Sequence, residues 1–288
     1  MHELDDDVRD RRIASDYADA VLAGKSALVV SPTHREADHL RDAIRATLRE
    51  RGKITGDDHE VRTLLPLHLT EGERHDPAFL REGDVIVFHQ NSKGIRKGTR
   101  FAVGQKVPKS LTDQAERYSV YRPSTLQLAS GDKIRMTAGG DTKDGKHRLN
   151  NGAVYEVADI SKAGDITLTN GWVIDSAFGH ISQGFVTTSH ASQGRTVDHT
   201  FIAVSAESFA AAGREQMYVS ASRGRHSAHI YTNNKAELRD VILESAAKIT
   251  ATELFQPSKQ YELHKKQQQA ARVPLPENHK LKELSYGH

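Results

Sequence analysis

The sequence predicts an α/β chain with a small β-barrel in its middle. Two observations carry that expectation. Near both ends, apolar runs of strand length sit beside amphipathic helical stretches. Between about residues 60 and 182 the pattern changes to evenly spaced short strands with frequent glycines, the signature of a small barrel.

Taken in order, residues 9–23 follow a helical period with Ile13, Tyr17, Ala20 and Val21 on one face. Residues 26–32 form a compact buried strand. Thr33, with Glu36 three places on, matches a capping box, in which Thr33 accepts from the Glu36 amide and Glu36 reaches back. The helix so opened turns Ala37, Leu40, Ile44 and Leu48 inward, and Gly52 stops it. Strands are then expected at 84–89, 100–107, 124–128, 132–137, 153–160, 165–168 and 172–174.

Within this middle region, residues 91–110 hold Lys93, Arg96, Lys97, Arg100, Lys106 and Lys109 and no acidic residue. Such a run neutralises phosphates with little sequence choice, and the binding weakens with salt. A second basic stretch, Lys143, Lys146, His147 and Arg148, sits in a glycine-rich turn. Phe88, Tyr118, Tyr121 and Trp172 read as core residues, with stacking on single-stranded bases the alternative.

A strand at 185–189 runs into a turn carrying His190, Ser192, Gln193, Gly194, Arg195 and Thr196. Open α/β sheets bind ligands at strand tips, and this turn is read as one. Gly194 allows close backbone approach, and Gln193 offers both an acceptor and donors. After a strand at 200–205, a short helix with Met217, Val219 and Ala221 delivers Arg223 and Arg225 to one edge. Guanidinium groups stay charged and fork onto phosphate oxygens. Taken singly, a Gln-Gly is a turn and a Ser-Arg at a helix end is a cation on the last carbonyls. A strand at 228–232 and a helix capped by Asn234, with Leu238, Val241, Ile242 and Ile249, complete the ordered part. From Gln256 onward the chain is rich in Gln, Lys and Pro and reads as a tail or linker.

The order His190, Gln193, Gly194, strand, Tyr218, Ser222, Arg223, strand resembles the last two helicase motifs of superfamily 1B helicases. More closely it resembles the helicase part of MobF-type conjugative relaxases, the TraI/TrwC family. That resemblance implies the second RecA-like motor domain, interrupted by an SH3-like β-barrel accessory domain. The RecA-like domain would then be discontinuous, residues 1–60 and 183–250, with the barrel at 61–182 and the tail at 251–288. By the same resemblance Arg223 is the arginine finger that reaches the γ-phosphate of ATP on a neighbouring motor half. Gln193, Gly194 and Arg225 lie against the nucleotide, and Ser189 and His190 touch the DNA backbone. The turn at Thr33 and Arg35 meets DNA or nucleotide, and Lys93, Arg96 and Lys97 add phosphate contacts from the barrel. Many relatives carry an acidic residue two places after the glycine to hold the ribose; this chain has Thr196 there, a departure from the pattern.

The grip on the nucleotide is missing. A P-loop needs Gly-x-x-x-x-Gly-Lys-Ser/Thr between a strand and a helix, so that backbone N–H groups cradle phosphates. Gly24-Lys25-Ser26 has Asp19 in place of the first glycine and lies between a helix and a strand, the reverse order. No apolar strand ends in an Asp-Glu pair to hold Mg²⁺. ATP and Mg²⁺ are therefore expected on a separate N-terminal half, in cis or in trans, and not on this chain alone.

At 288 residues, with 37% hydrophobic and 27% charged residues, the chain is long enough to bury a sizeable core. No run approaches the roughly 18 apolar residues of a membrane span, and the amino terminus lacks the basic start of a signal peptide, so a cytoplasmic protein is expected. Zero cysteines exclude thiol chemistry, and the 16 histidines form no metal-binding spacing. A net charge of +2 makes any nucleic-acid surface a local one. Two functions are thus in play: a motor part that contacts single-stranded DNA, or a non-catalytic DNA- or partner-binding module.

Overall fold

The computed structural model describes residues 1–92, 94–104 and 109–254. Lys93 and Lys106 of the basic run, and the expected tail beyond residue 254, lie outside these residues. After a short strand β1 (His2–Glu3), helix α1 (Asp6–Leu22) buries Ile13, Ala14, Tyr17 and Ala18. Ala20 and Val21 pack at the margin of the same core. Strand β2 (Ala27–Ser31) follows, then α2 (His34–Glu50), with Leu40, Ile44 and Leu48 buried as the helical period requires.

Thr33 caps α2 by accepting from the Glu36 amide at 3.4 Å. The return half of the expected capping box does not form. Glu36 is only 8% exposed, and three donors from other elements reach its carboxylate there. Ser31 Oγ donates at 3.0 Å, the Ser205 amide at 2.9 Å, and Arg9 pairs at 3.2 Å. A buried carboxylate needs such partners more than a helix needs its second cap.

The chain then leaves the parallel-sheet domain. Strands β3 (Thr55–Pro66), β4 (Val85–Phe88), β5 (Arg100–Ala102) and β6 (Tyr118–Ser130) form an antiparallel sheet ordered β3-β6-β4-β5. Two short helices, α3 (Glu71–His75) and α4 (Lys109–Thr112), lie in its connections. A second antiparallel sheet contains β7 (Lys133–Met136), and a small hairpin of β8 (Gly140–Asp141) and β9 (Arg148–Leu149) follows it. Its other strands are β10 (Val154–Ile160), β11 (Ile166–Leu168), β12 (Val173–Ile174) and β13 (Ile181–Gln183), in the order β12-β11-β10-β7-β13.

Strand pairing thus describes two antiparallel sheets where the sequence reading expects one small barrel. Each has its own apolar core. Ile134, Met136, Val157 and Ile181 pack with Val61 and Leu128 in one; Ile86, Phe88, Tyr118 and Val120 pack with Leu80 in the other. Strands β3 and β6, 12 and 13 residues long, connect the two sheets. Periodicity captures only part of β6 because its middle, Arg122 to Gln127, is largely polar and carries Pro123. Phe88 and Tyr118 are core residues, 1% and 0% exposed.

The insertion is bolted to the parallel-sheet domain by charge. Arg45 of α2 pairs with buried Asp132 at 2.8 Å and with Asp58 at 2.5 Å, and these carboxylates hold its guanidinium well above the ordinary range. Lys53 pairs with Glu156 at 2.7 Å, and Lys133 reaches the Tyr17 hydroxyl at 3.1 Å.

The chain returns through β14 (Val186–Thr188), β15 (Val197–Val204), α5 (Arg214–Ala221), β16 (Gly224–Thr232) and α6 (Lys235–Leu254). With β1 and β2 they make a five-stranded, wholly parallel sheet ordered β1-β16-β15-β2-β14. Phe201 and Ala203 of β15 face α1 and α2, while Ile202 and Val204 face α5 and α6. Burial on both faces explains why the second half of β15, Phe201 to Val204, is wholly apolar. No helix among the described residues is long and apolar enough to cross a membrane.

His180, 4% exposed, lies edge-on to Tyr121 and Phe178 in the insertion. Burial, with the nearby Arg100 charge, pushes its imidazole down to about 4. The folded chain therefore binds fewer protons than the unfolded chain between pH 6.5 and about 4, and stability is lost as pH falls through that window. Between pH 7 and pH 4 the parent should lose on the order of 1–3 kcal/mol more stability than His180→Phe, read by thermal melting. An unchanged pH profile in that variant would contradict the assignment.

Candidate functional site

The two motif segments meet. Beyond β14, Ser189 is 4% exposed and its Oγ accepts from Ser220 Oγ of α5 at 2.9 Å. A short 3₁₀ turn, His190–Ser192, follows, closed by Ser192 Oγ donating to the Ser189 carbonyl at 2.6 Å. His190 is exposed on this turn, whereas Ser189 is the internal joint between the segments.

The bend then carries exposed Gln193 and Gly194 down toward the start of β15. Gly194 has φ +79°, the left-handed region that a side chain disfavours. The direction of this segment differs from the expectation of a carboxyl strand tip. Strand β14 ends level with Ser31, while Val197 begins β15 at the opposite edge, beside Gly224. Two parallel strands demand that their connection run back the length of the sheet, so Gln193 and Gly194 lie toward the amino edge.

Arg223 stands at that same edge. Its carbonyl accepts from the Val197 amide at 3.0 Å, and its Nη1 donates to the Arg195 carbonyl at 3.4 Å. Nε donates to the Val219 carbonyl at 2.9 Å and Nη2 to Ser222 Oγ at 2.9 Å. The guanidinium thus satisfies a carbonyl at the end of α5 while touching the bend, and it makes no ion pair among the described residues. Gly224 makes this crossing possible. A Cβ there would sit 2.2 Å from the Ser227 carbonyl oxygen, at a bulge in the β15–β16 pairing.

Arg225 is differently placed. It pairs with Asp198 at 3.1 Å, and Asp198 also accepts from the Ser26 amide and hydroxyl at 2.9 and 2.7 Å. The Ser26 bonds first, and then Arg225 and His226, hold the Asp198 carboxyl below the usual range. Asp198 was not singled out from sequence, although its charge opposite two arginines is a usable signal. Tyr218 on α5 is 73% exposed, the largest exposure of any sizeable apolar side chain among the described residues.

Thr33 and Arg35 lie at the other edge of the sheet. They line a cavity of about 700 Å³ together with Asp6, Asp7, Asp10, Glu36 and Glu207. Arg35 is exposed and 3.8 Å from Glu207. This carboxylate-rich edge is separated from the bend and Arg223 by the length of β15. Arg96 and Lys97 are exposed on the loop between β4 and β5, where the Lys97 amide donates to Asn91 at 2.8 Å. They belong to the first antiparallel sheet and not to the cluster around Arg223.

No family model matches the chain. The "Multifunctional conjugation protein TraI" of Escherichia coli strain K12 is 28% identical over 153 residues, covering 50% of this chain and 8% of that protein. A second Escherichia coli protein of the same description is 27% identical over 178 residues, covering 56% of this chain and 10% of its own length. The chain thus spans a small part of the relatives it matches. Among solved structures, Pif1 helicase from Bacteroides in complex with ADP-AlF3 and single-stranded DNA covers 71% of this chain and 40% of its own, at 13% identity and a TM-score of 0.36. Pif1 helicase from Candida albicans covers 79% and 50%, at 15% identity and a TM-score of 0.33. The chain is similar in sequence to part of a conjugation protein, and helicases are among its structural neighbours.

Proposed function

We propose that this chain is the C-terminal motor portion of a conjugative relaxase and DNA helicase, working in the cytoplasm on single-stranded DNA. On this reading the parallel sheet is the second RecA-like domain and the antiparallel insertion serves as its SH3-like accessory domain. ATP and Mg²⁺ are held mainly by an N-terminal half, in cis or in trans, and Arg223 is the finger that completes the pocket.

The observation that supports it most is the contact of Arg223 with the backbone beside Gln193 and Gly194. A cation without a carboxylate partner among the described residues, next to an exposed Gln-Gly bend and exposed Tyr218, suits a face that another domain covers. The bonds of Arg223 to its neighbours are to a hydroxyl and to carbonyls, each with a net worth of about 1.5–3 kcal/mol. A phosphate attracts a guanidinium more strongly, so the fork can leave those acceptors for it. Closure of the two halves on ATP then brings Arg223 to the developing charge, and hydrolysis lets them reopen. The competing reading, a non-catalytic DNA- or partner-binding module, draws on the lack of a P-loop in this sequence.

The two readings separate by measurement in the assembly completed with its nucleotide-binding half. Arg223→Ala should lower ATP turnover by a factor on the order of 10³ and leave single-stranded DNA affinity within about twofold. Unaltered turnover would remove Arg223 from the mechanism and favour the module. By itself the chain should bind a labelled oligothymidylate weakly, with affinity falling steeply between about 50 and 200 mM salt. Binding that ignores salt would count against an electrostatic DNA surface.

A further inference from the structure

Half-buried arginines in this chain are usually matched by carboxylates. Arg9 has Asp6, Asp10 and Glu36; Arg45 has Asp58 and Asp132; Arg122 has Asp84. Arg74, Arg195 and Arg223 depart from this, bonding to backbone carbonyls, and Arg135 departs further. Arg135 of β7 has a buried Nε with no partner, and it makes no ion pair among the described residues. Ile134 and Met136 on either side are wholly buried in the insertion core, so strand alternation turns Arg135 to the opposite face, with Lys133. Lys133 reaches Tyr17, so that face looks toward the parallel-sheet domain.

Arg195 comes to the same seam from the other side. It follows Gly194 directly, and its Nη2 donates to the carbonyl of Gly152. The Gly152 amide in turn donates to the Met136 carbonyl at 2.8 Å, one residue from Arg135. Arg195 also has no ion pair among the described residues. Burial first, and then the charge of Arg135, depress its guanidinium below the ordinary range. The Gly152 bonds thus bring Arg195 and Arg135 to one seam, with hydroxyl-bearing Ser182 beside Arg135 in the β13–β7 pairing.

We propose that Arg135 and Arg195 form a phosphate-binding site at the seam between the Gln-Gly bend and the insertion. An oxyanion between two guanidinium forks supplies the acceptor that Arg135 Nε lacks and cancels their repulsion. The phosphate is a phosphodiester of a single-stranded nucleic acid. The Arg195 carbonyl faces Arg223 while its side chain faces Gly152, so the seam and the Arg223 fork serve different phosphates. Naming the strand as the source rests on the motor reading; the anion site itself rests on the two arginines.

The test uses the full chain, its Arg135→Gln and Arg195→Gln variants and the double variant. Anisotropy of a fluorescent oligothymidylate is followed across a salt titration, beside a fluorescent ATP analogue and thermal melting with inorganic tripolyphosphate. Each single variant should weaken the strand about 3- to 10-fold, and the double variant should lower the salt slope by about 0.7, the share of one single-strand phosphate. Tripolyphosphate should raise the melting temperature of the parent chain and not that of the double variant, which should melt no lower than the parent without anion. Equal strand affinity and equal tripolyphosphate response in parent and double variant would overturn the site. Loss of ATP-analogue affinity with strand affinity intact would overturn the strand as its ligand. A parent chain that binds no strand but shows the arginine-dependent tripolyphosphate response would support the anion site and sink the motor reading.

Discussion

Burial of β15 on both faces is the constraint on which the site depends. Phe201 and Ala203 enter the core beneath α1 and α2, Ile202 and Val204 the core beneath α5 and α6. Each large side chain contributes about 1.5–3 kcal/mol by leaving water. A one-residue slip would exchange the two sets, so the register against β2 and β16 is firmly held. That register places Val197 opposite Gly224. The end of α5 must therefore arrive where the Gln-Gly bend arrives, and the Ser189–Ser220 hydrogen bond locks the approach.

The two edges of this sheet gather different groups. At the carboxyl edge, Glu36 gathers donors from β2, α1 and the end of β15, and four other carboxylates line the adjoining cavity. Arg9, Arg11, Arg35 and His39 line the same cavity, so its charge is mixed. At the amino edge, Arg223 and Arg195 are bonded to backbone carbonyls, while Asp198 is already engaged by Ser26 and Arg225.

The insertion is joined to the parallel-sheet domain by polar side chains. Arg45, Lys53 and Lys133 fasten it to α2 and α1, and Arg195 fastens it to the bend itself. Its two antiparallel sheets keep separate cores and are joined by the long strands β3 and β6.

Local order along the chain already specified much of this protein. The apolar stripe of α2, the buried runs of β2 and β15, the Thr33 cap and the sequence of motif residues from His190 to Arg223 depend on neighbours within a few positions, so periodicity and spacing reveal them. Contacts between distant residues did not show themselves in the same way. The role of Glu36 passed from a local cap to a buried hub because three partners converge on it from elsewhere in the fold. Ser189 became an internal joint, Arg225 found Asp198, and Thr33 and Arg35 came to rest at the far edge from Arg223. The amino-edge position of the bend follows from strand pairing across the chain. Hydrogen bonds between residues far apart in sequence leave no periodic trace, and only the folded backbone brings those charges together.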